Sequence, residues 1–108
     1  MNDAVTDVAV IGMSCRFPGV HNLGEFWRLL LDGKSTVGKF PDHRAPDSNH
    51  TSHPDAGTVN SGSFFDSIDA FDAEFFGTGP AEASAMDPVQ RLGLELAWEA
   101  VEDARVPA

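Results

Sequence analysis

Cys15 and Arg16 stand side by side directly after an apolar run, the first place in this chain where a nucleophile could be built. A thiolate is the reactive form of cysteine, and an adjacent guanidinium favours it. The competing reading is structural: free cysteine commonly packs as a small hydrophobe, and Cys15 is read that way. His43, His50 and His53 share one stretch with Asp42, Asp47 and Asp55. Imidazole and carboxylate suit zinc, yet the spacing follows no standard ligand pattern. These are read as surface histidines, His21 as a turn residue ahead of a helix cap, and no metal ligand is assigned. Arg91 has two readings. Its planar fork bonds carbonyls or a carboxylate of the complete domain, or it pairs with Glu95 one turn further along the same helix. Trp27, Trp98, Phe71, Phe75 and Phe76 are read as core or subunit-interface aromatics rather than a ligand-stacking set.

The elements that must position these groups follow from periodicity and punctuation. Val8-Ala9-Val10-Ile11-Gly12 is short, apolar and β-branched, the pattern of a strand buried on both faces. The chain leaves it through a Pro18-Gly19 turn. Asn22 and Glu25 form a capping box for a helix to about Leu31, with Leu23, Phe26, Trp27 and Leu30 on the buried face and Gly33 as the stop. Residues 41–63 mix Pro and Gly with Asp, Asn, Ser, Thr and His and lose all periodicity, which predicts a long surface loop closed by an extended Ser63-Phe64-Phe65. Asp69 is expected to cap a helical stretch from Ala70 to Phe76 that ends at Gly77, and Pro80 to open a short helix through Ala85. Asp87 as cap, Pro88 at the first helical position and Gln90 at the third open a long helix through Ala104. On it Arg91, Glu95, Glu99 and Glu102 make one charged stripe. Most of the remaining circumference is apolar, so the helix is expected to be covered on more than one side.

The inventory is therefore α/β: one buried strand, three to four helical segments and a long loop, with residues 1–7 as an N-terminal tail. A buried strand needs neighbours on both edges to pair its N–H and C=O groups. The chain offers one weak candidate, near Ser63. Residues 1–108 thus read as a single, incomplete domain. Hydrophobic residues make up 42% and charged residues 22%, which is globular rather than disordered. The net charge is −10, and residues 64–108 carry ten acidic side chains against two arginines. Such a surface repels phosphate backbones, so nucleic acid is excluded as a partner. A single cysteine makes no internal disulfide and fits a reducing compartment. The first apolar run is too short for a signal core or a membrane span, and the expected location is cytoplasmic.

Four ordered motifs give the chain a resemblance. Val10-Ile11-Gly12-Met13-Ser14-Cys15-Arg16-Phe17-Pro18-Gly19 resembles the opening strand and turn of the β-ketoacyl synthase domains of modular type I polyketide synthases. Phe26-Trp27-Arg28-Leu29-Leu30 with Gly33 resembles the helix that follows. Phe71-Asp72-Ala73-Glu74-Phe75-Phe76-Gly77, with Pro80, Glu82 and Ala83, resembles the family's F-D-A-x-F-F-G-I-S-P-R-E-A stretch. Met86-Asp87-Pro88-Val89-Gln90-Arg91-Leu92, Glu95 and Ala97-Trp98-Glu99-Ala100 resemble its M-D-P-Q-Q-R-L-L-L-E-x-A-W-E-A stretch. Thr78, Gly79, Ala81, Val89 and Gly93 depart from the family pattern, and residues 45–61 match it poorly. Gly93 in a helix interior costs about 1 kcal/mol relative to alanine.

The resemblance implies the N-terminal fragment of a thiolase-like fold. It implies that the complete domain is an acyltransferase performing decarboxylative condensation of an acyl thioester with a malonyl-type extender. That extender rides on an acyl carrier protein bearing phosphopantetheine, and the complete synthase works as a homodimer. The family's nucleophilic cysteine lies in a T-A-C-S-S-type elbow, with two histidines further on. No position in 1–108 matches any of the three, and Cys15 matches a non-catalytic turn cysteine of the family. Catalytic, cofactor-binding and metal-binding residues are accordingly all assigned as none, and the chain alone is expected to be inactive. Three other readings stay open: a non-enzymatic acidic interaction protein, one half of a split condensing enzyme, and a small metal-binding protein.

Overall fold

The computed structural model of the protein describes residues 6–44 and 61–107. His50, His53, Asp47, Asp55 and most of the expected 41–63 loop lie outside the described residues. The architecture is mixed α/β. Helix α1 spans Leu23–Asp32, strand β1 Gly38–Lys39, strand β2 Ser61–Gly62, helix α2 Pro80–Ala85 and helix α3 Pro88–Asp103. A single 3-10 turn covers Asp42–Arg44.

The helix ends form where local chemistry demands. Asn22 is extended, and its side-chain oxygen accepts from the Glu25 amide at 2.9 Å. Glu25 reaches back to the His21 amide at 2.7 Å, one residue earlier than a standard capping box. At the far end Gly33 takes φ of 60°, while its amide bonds Leu30 and the Lys34 amide bonds Leu29, closing α1 as a Schellman motif. Asp87 caps α3 through the Val89 amide at 2.8 Å, with Pro88 in the first turn. The end of α3 closes on the same hydrogen-bond pattern, from Arg105 to Glu102 and from Val106 to Val101, but with Arg105 at φ 57°. A side chain in that left-handed region carries a cost of about 1–2 kcal/mol.

Three expectations are corrected. Val8–Gly12 forms no strand among the described residues, and its apolar side chains are open: Val8 is 88% exposed and Val10 73%. The reason is the missing neighbour, since a strand exists only through the backbone groups that pair with it. The stretch from Ala70 to Phe76 is not a helix capped by Asp69. A single turn forms further on, begun by the Asp72 carboxylate accepting from the Phe75 amide at 3.1 Å and ended by Gly77. Asp69 is instead tied to Ser67 by a 2.6 Å hydrogen bond. Finally, the expected buried face of α1 is only half covered: Leu23 and Phe26 are half-buried, Phe26 packing on Phe17 at 4.9 Å, while Trp27 is 63% exposed and Leu30 56%.

The sheet observed is a two-residue antiparallel ladder, Gly38 opposite Gly62 and Lys39 opposite Ser61. So short a ladder needs side-chain support. Thr36 and Ser63 share a hydroxyl hydrogen bond of 2.6 Å, and Phe40 meets Phe64 edge-on at 4.9 Å. Arg44 lies 5.3 Å from the Phe40 ring centroid and donates to the Phe65 carbonyl at 2.5 Å, while His43 Nε2 contacts the Asp66 carbonyl at 2.5 Å.

Among the described residues only Val20 and Ala83 are buried. Val20 sits under the Pro18-Gly19 turn, where Phe17 and Val20 exchange backbone hydrogen bonds of 3.1 and 2.8 Å. The radius of gyration is 19.0 Å, against about 13 Å for a compact chain of 100 residues. No helix among the described residues is long and apolar enough to cross a membrane.

Two glycines bracket the packing. A Cβ added at Gly12 would lie 2.5 Å from the Ala100 carbonyl and 2.6 Å from the Ala104 amide, whereas one added at Gly93 would meet nothing within 4 Å. Gly12→Ala is therefore expected to detach the opening segment from α3, read as loss of nuclear Overhauser contacts between residue 12 and Ala104. Gly93→Ala is expected to stabilise α3 by about 1 kcal/mol, read from helical signal during urea unfolding.

Candidate functional site

The chain's main long-range contact is the docking of residues 12–16 along α3. Gly12 lies flat on the last turn, as its contacts with Ala100 and Ala104 require. The Met13 amide donates to Asp103 Oδ2 at 2.9 Å, and Ser14 Oγ donates to the Leu96 carbonyl at 2.6 Å. Arg16 then spreads its fork across one helix turn: one terminal nitrogen bonds Glu95 and the other bonds Glu99. The charged stripe of α3 is thus a docking face. These side chains are only part-buried, Arg16 being 22% exposed, so the charges are partly shielded from water without full desolvation.

Arg91 bonds a carbonyl of this chain rather than Glu95. It donates to the Ile68 carbonyl at 3.3 Å, and its Nε, buried, has no partner among the described residues. No Arg91–Glu95 ion pair forms, because Glu95 is taken by Arg16. Arg16, Arg91 and Glu95 border a cleft of about 240 Å³, walled by Phe65, Ile68, Val89 and Leu92 and closed by Ser67, Ala70 and Pro88.

Cys15 is half-buried and free. It lines a separate hollow of about 140 Å³ with Met13, Ser14, Asn22, Leu23 and Glu99. Among the described residues no histidine borders that hollow, and the guanidinium of Arg16 faces Glu95 and Glu99. Among the described residues no three His, Cys, Asp or Glu side chains gather as a metal site. The aromatics form a ladder: Phe71 stacks on Phe76 at 5.3 Å, Phe76 meets Phe75 edge-on at 5.0 Å, and Phe75 meets Trp98 at 4.9 Å. Trp98 also donates to Glu102 at 2.7 Å.

Sequence reasoning missed the Arg16 pairing with Glu95 and Glu99. The i, i+4 spacing of the two glutamates was its one local signal. It also missed Arg44 and Phe40, which have none.

The family is now identifiable. The model for the β-ketoacyl synthase N-terminal domain matches residues 5–108, and the chain belongs to that family. It is 50% identical over 105 residues to polyketide synthase GfsA of Streptomyces halstedii, covering 94% of this chain and 1% of that protein. It is 46% identical over 110 residues to 6-methylsalicylic acid synthase of Aspergillus niger, covering 96% and 6%. Among solved structures, the ketosynthase from module 6 of the bacillaene synthase of Bacillus subtilis 168 superposes with a TM-score of 0.72 at 32% identity, covering 87% of this chain and 16% of that one. The oxazolomycin ketosynthase domain of Streptomyces albus gives a TM-score of 0.75 at 28% identity, covering 87% and 17%. The chain thus corresponds to the N-terminal part of a type I polyketide synthase ketosynthase domain, a small share of each relative's length.

Two outcomes are expected. A double-mutant cycle of Arg16→Met and Glu99→Gln, followed by urea unfolding, should give a coupling of about 1 kcal/mol, the level for a good pair in a partly exposed site. Asp69 supplies the second. The Ser67 hydroxyl chiefly holds its carboxyl below the ordinary value, with its own backbone amide and then the charges of Arg91 and His43 acting the same way. A lowered folded-state pKa means the contribution is complete above the unfolded value and is lost as pH falls through the folded one. Ser67→Ala should move the Asp69 titration midpoint upward in carbon-detected NMR.

Proposed function

We propose that residues 1–108 are the opening part of a thiolase-like β-ketoacyl synthase whose complete domain carries out decarboxylative Claisen condensation. In that reaction an acyl group is held as a thioester on a cysteine. A malonyl-type thioester loses carbon dioxide, and the resulting carbanion attacks the acyl carbonyl, forming the carbon–carbon bond and releasing the cysteine sulfur. Phosphopantetheine arrives as the arm of an acyl carrier protein and so belongs to the substrate. The proposed assembly is a homodimer of complete domains.

In this reading the chain's own residues position rather than react. The Arg16 fork, Ser14 and Met13 fix the segment after Gly12 against α3, and the elbow cysteine and histidines come from elsewhere in the domain. The observation that carries the reading is the superposition on ketosynthases at TM-scores of 0.72 and 0.75, together with half-identity to a polyketide synthase over nearly the whole chain. One feature favours a second arrangement, a split condensing enzyme: Val8, Val10, Ile11, Trp27 and Leu31 are all more than half exposed, as expected of a surface meant for another polypeptide.

The test is a condensation assay with an acyl thioester and malonyl-loaded carrier protein. The chain alone should give no product above blank. A GfsA ketosynthase domain whose own opening segment is replaced by residues 1–108 should give product. Turnover by the chain alone overturns the placement of the chemistry, and an inactive but folded chimera overturns the scaffold role.

A further inference from the structure

Residues 6–20 are fastened in two unlike ways on either side of Arg16. Downstream, the turn is closed by backbone bonds between Phe17 and Val20, by the buried Val20 side chain and by Phe17 packing on Phe26 of α1 at 4.9 Å. Upstream, apolar burial does little, since Val8, Val10, Ile11 and Met13 are all more than half exposed. What holds this half to α3, besides the seat of Gly12, is polar: the Met13 amide on Asp103, the Ser14 hydroxyl on the Leu96 carbonyl, and the Arg16 fork on Glu95 and Glu99. Three of these four acceptors are carboxylates, and the Glu95 and Glu99 side chains are 26% and 39% exposed. Water and mobile ions therefore reach the charged pairs. Such pairs weaken as ionic strength rises, because the screening length falls from about 10 Å at ~0.1 M salt to about 3 Å at ~1 M. The backbone bonds and ring contact of the turn carry no net charge to screen.

We infer that residues 6–16 form an ionic strap, docked on α3 at low ionic strength and released at high, which swings about the Arg16–Phe17 junction while the turn and α1 keep their places. Arg16 is the cation on which the docking depends. Without it the stripe of α3 presents Glu95, Glu99, Glu102 and Asp103 as neighbouring like charges, which oppose one another at three- and four-residue spacing. The helix's own Arg91 is engaged with the Ile68 carbonyl rather than with Glu95. Mobile cations take the place of Arg16 when the strap leaves, so salt both screens the docked state and stabilises the released one. The strap needs nothing outside the described residues, and it goes beyond the synthase role proposed above without depending on it.

The test follows the full 108-residue chain by NMR from ~0.05 to ~1 M sodium chloride. The Met13 amide, bonded to Asp103, reports the strap, and the Val20 amide, bonded to Phe17 within the turn, serves as internal reference for hydrogen exchange. Expected are a fall of about fivefold in Met13 protection relative to Val20, loss of the nuclear Overhauser contact between Gly12 and Ala104, and retention of the α3 helical signal. Arg16→Met should show the released state already at low salt and respond no further. Arg28→Ala, on exposed α1, should keep the wild-type salt response. Sodium sulfate at equal ionic strength should act as chloride does, since screening follows ionic strength. A Met13 to Val20 ratio and a Gly12–Ala104 contact that persist unchanged to ~1 M salt, or that survive in Arg16→Met, would overturn the strap. Tighter docking in sulfate would mark an apolar hold and overturn it as well. Loss of Met13 and Val20 protection together would show that the turn goes with the segment, and the hinge at Arg16–Phe17 would fall.

Discussion

The Arg16 fork across Glu95 and Glu99 is the contact on which the rest of the described chain depends. Apolar burial does not carry this fold, because only Val20 and Ala83 are buried among the described residues. What ties the start of the chain to its end is polar and geometric: the fork, the Ser14 hydroxyl on Leu96, the Met13 amide on Asp103 and the flat seat of Gly12. A lone exposed ion pair contributes between nothing and about 1 kcal/mol. Four such contacts on consecutive or nearly consecutive residues share one ordering cost, so together they define a register along the helix that no single pair could. The fork also explains Arg91. With Glu95 taken, the arginine of the helix itself turns to the Ile68 carbonyl.

What the sequence made legible was whatever closes within a few residues. Asn22, Gly33, Pro80 and the Asp87-Pro88 pair act through hydrogen bonds or fixed torsions inside one turn, and each sits where the pattern placed it. The charged stripe of α3 was legible as a stripe but not as a docking face, because its partner lies about eighty residues away in sequence. Arg105 left no trace for the opposite reason. Glycine is the usual signal of a left-handed helix stop, and an arginine in that role is invisible to composition.

The misread elements share one cause. Val8–Ile11 has the composition of a central strand, a pattern that describes a relation to neighbours the described residues do not supply, and on the amphipathic face of α1 Phe26 packs on Phe17 while Trp27 and Leu30 stay open. The helix expected from Ala70 failed differently. Its aromatic residues pack on one another and on Trp98, so ring contacts rather than the helical ladder set the path between Phe71 and Phe76. Asp72, nearer the turn's first free amide than Asp69, then does the capping.

The same geometry separates two roles that sequence adjacency had joined. Cys15 and Arg16 are neighbours in the chain, yet they face different hollows. The guanidinium is spent on holding the segment to α3. The thiol lies in a hollow that Glu99 also lines. The segment after Gly12 is thus held in place by side-chain and backbone contacts with α3 that leave the thiol out of them.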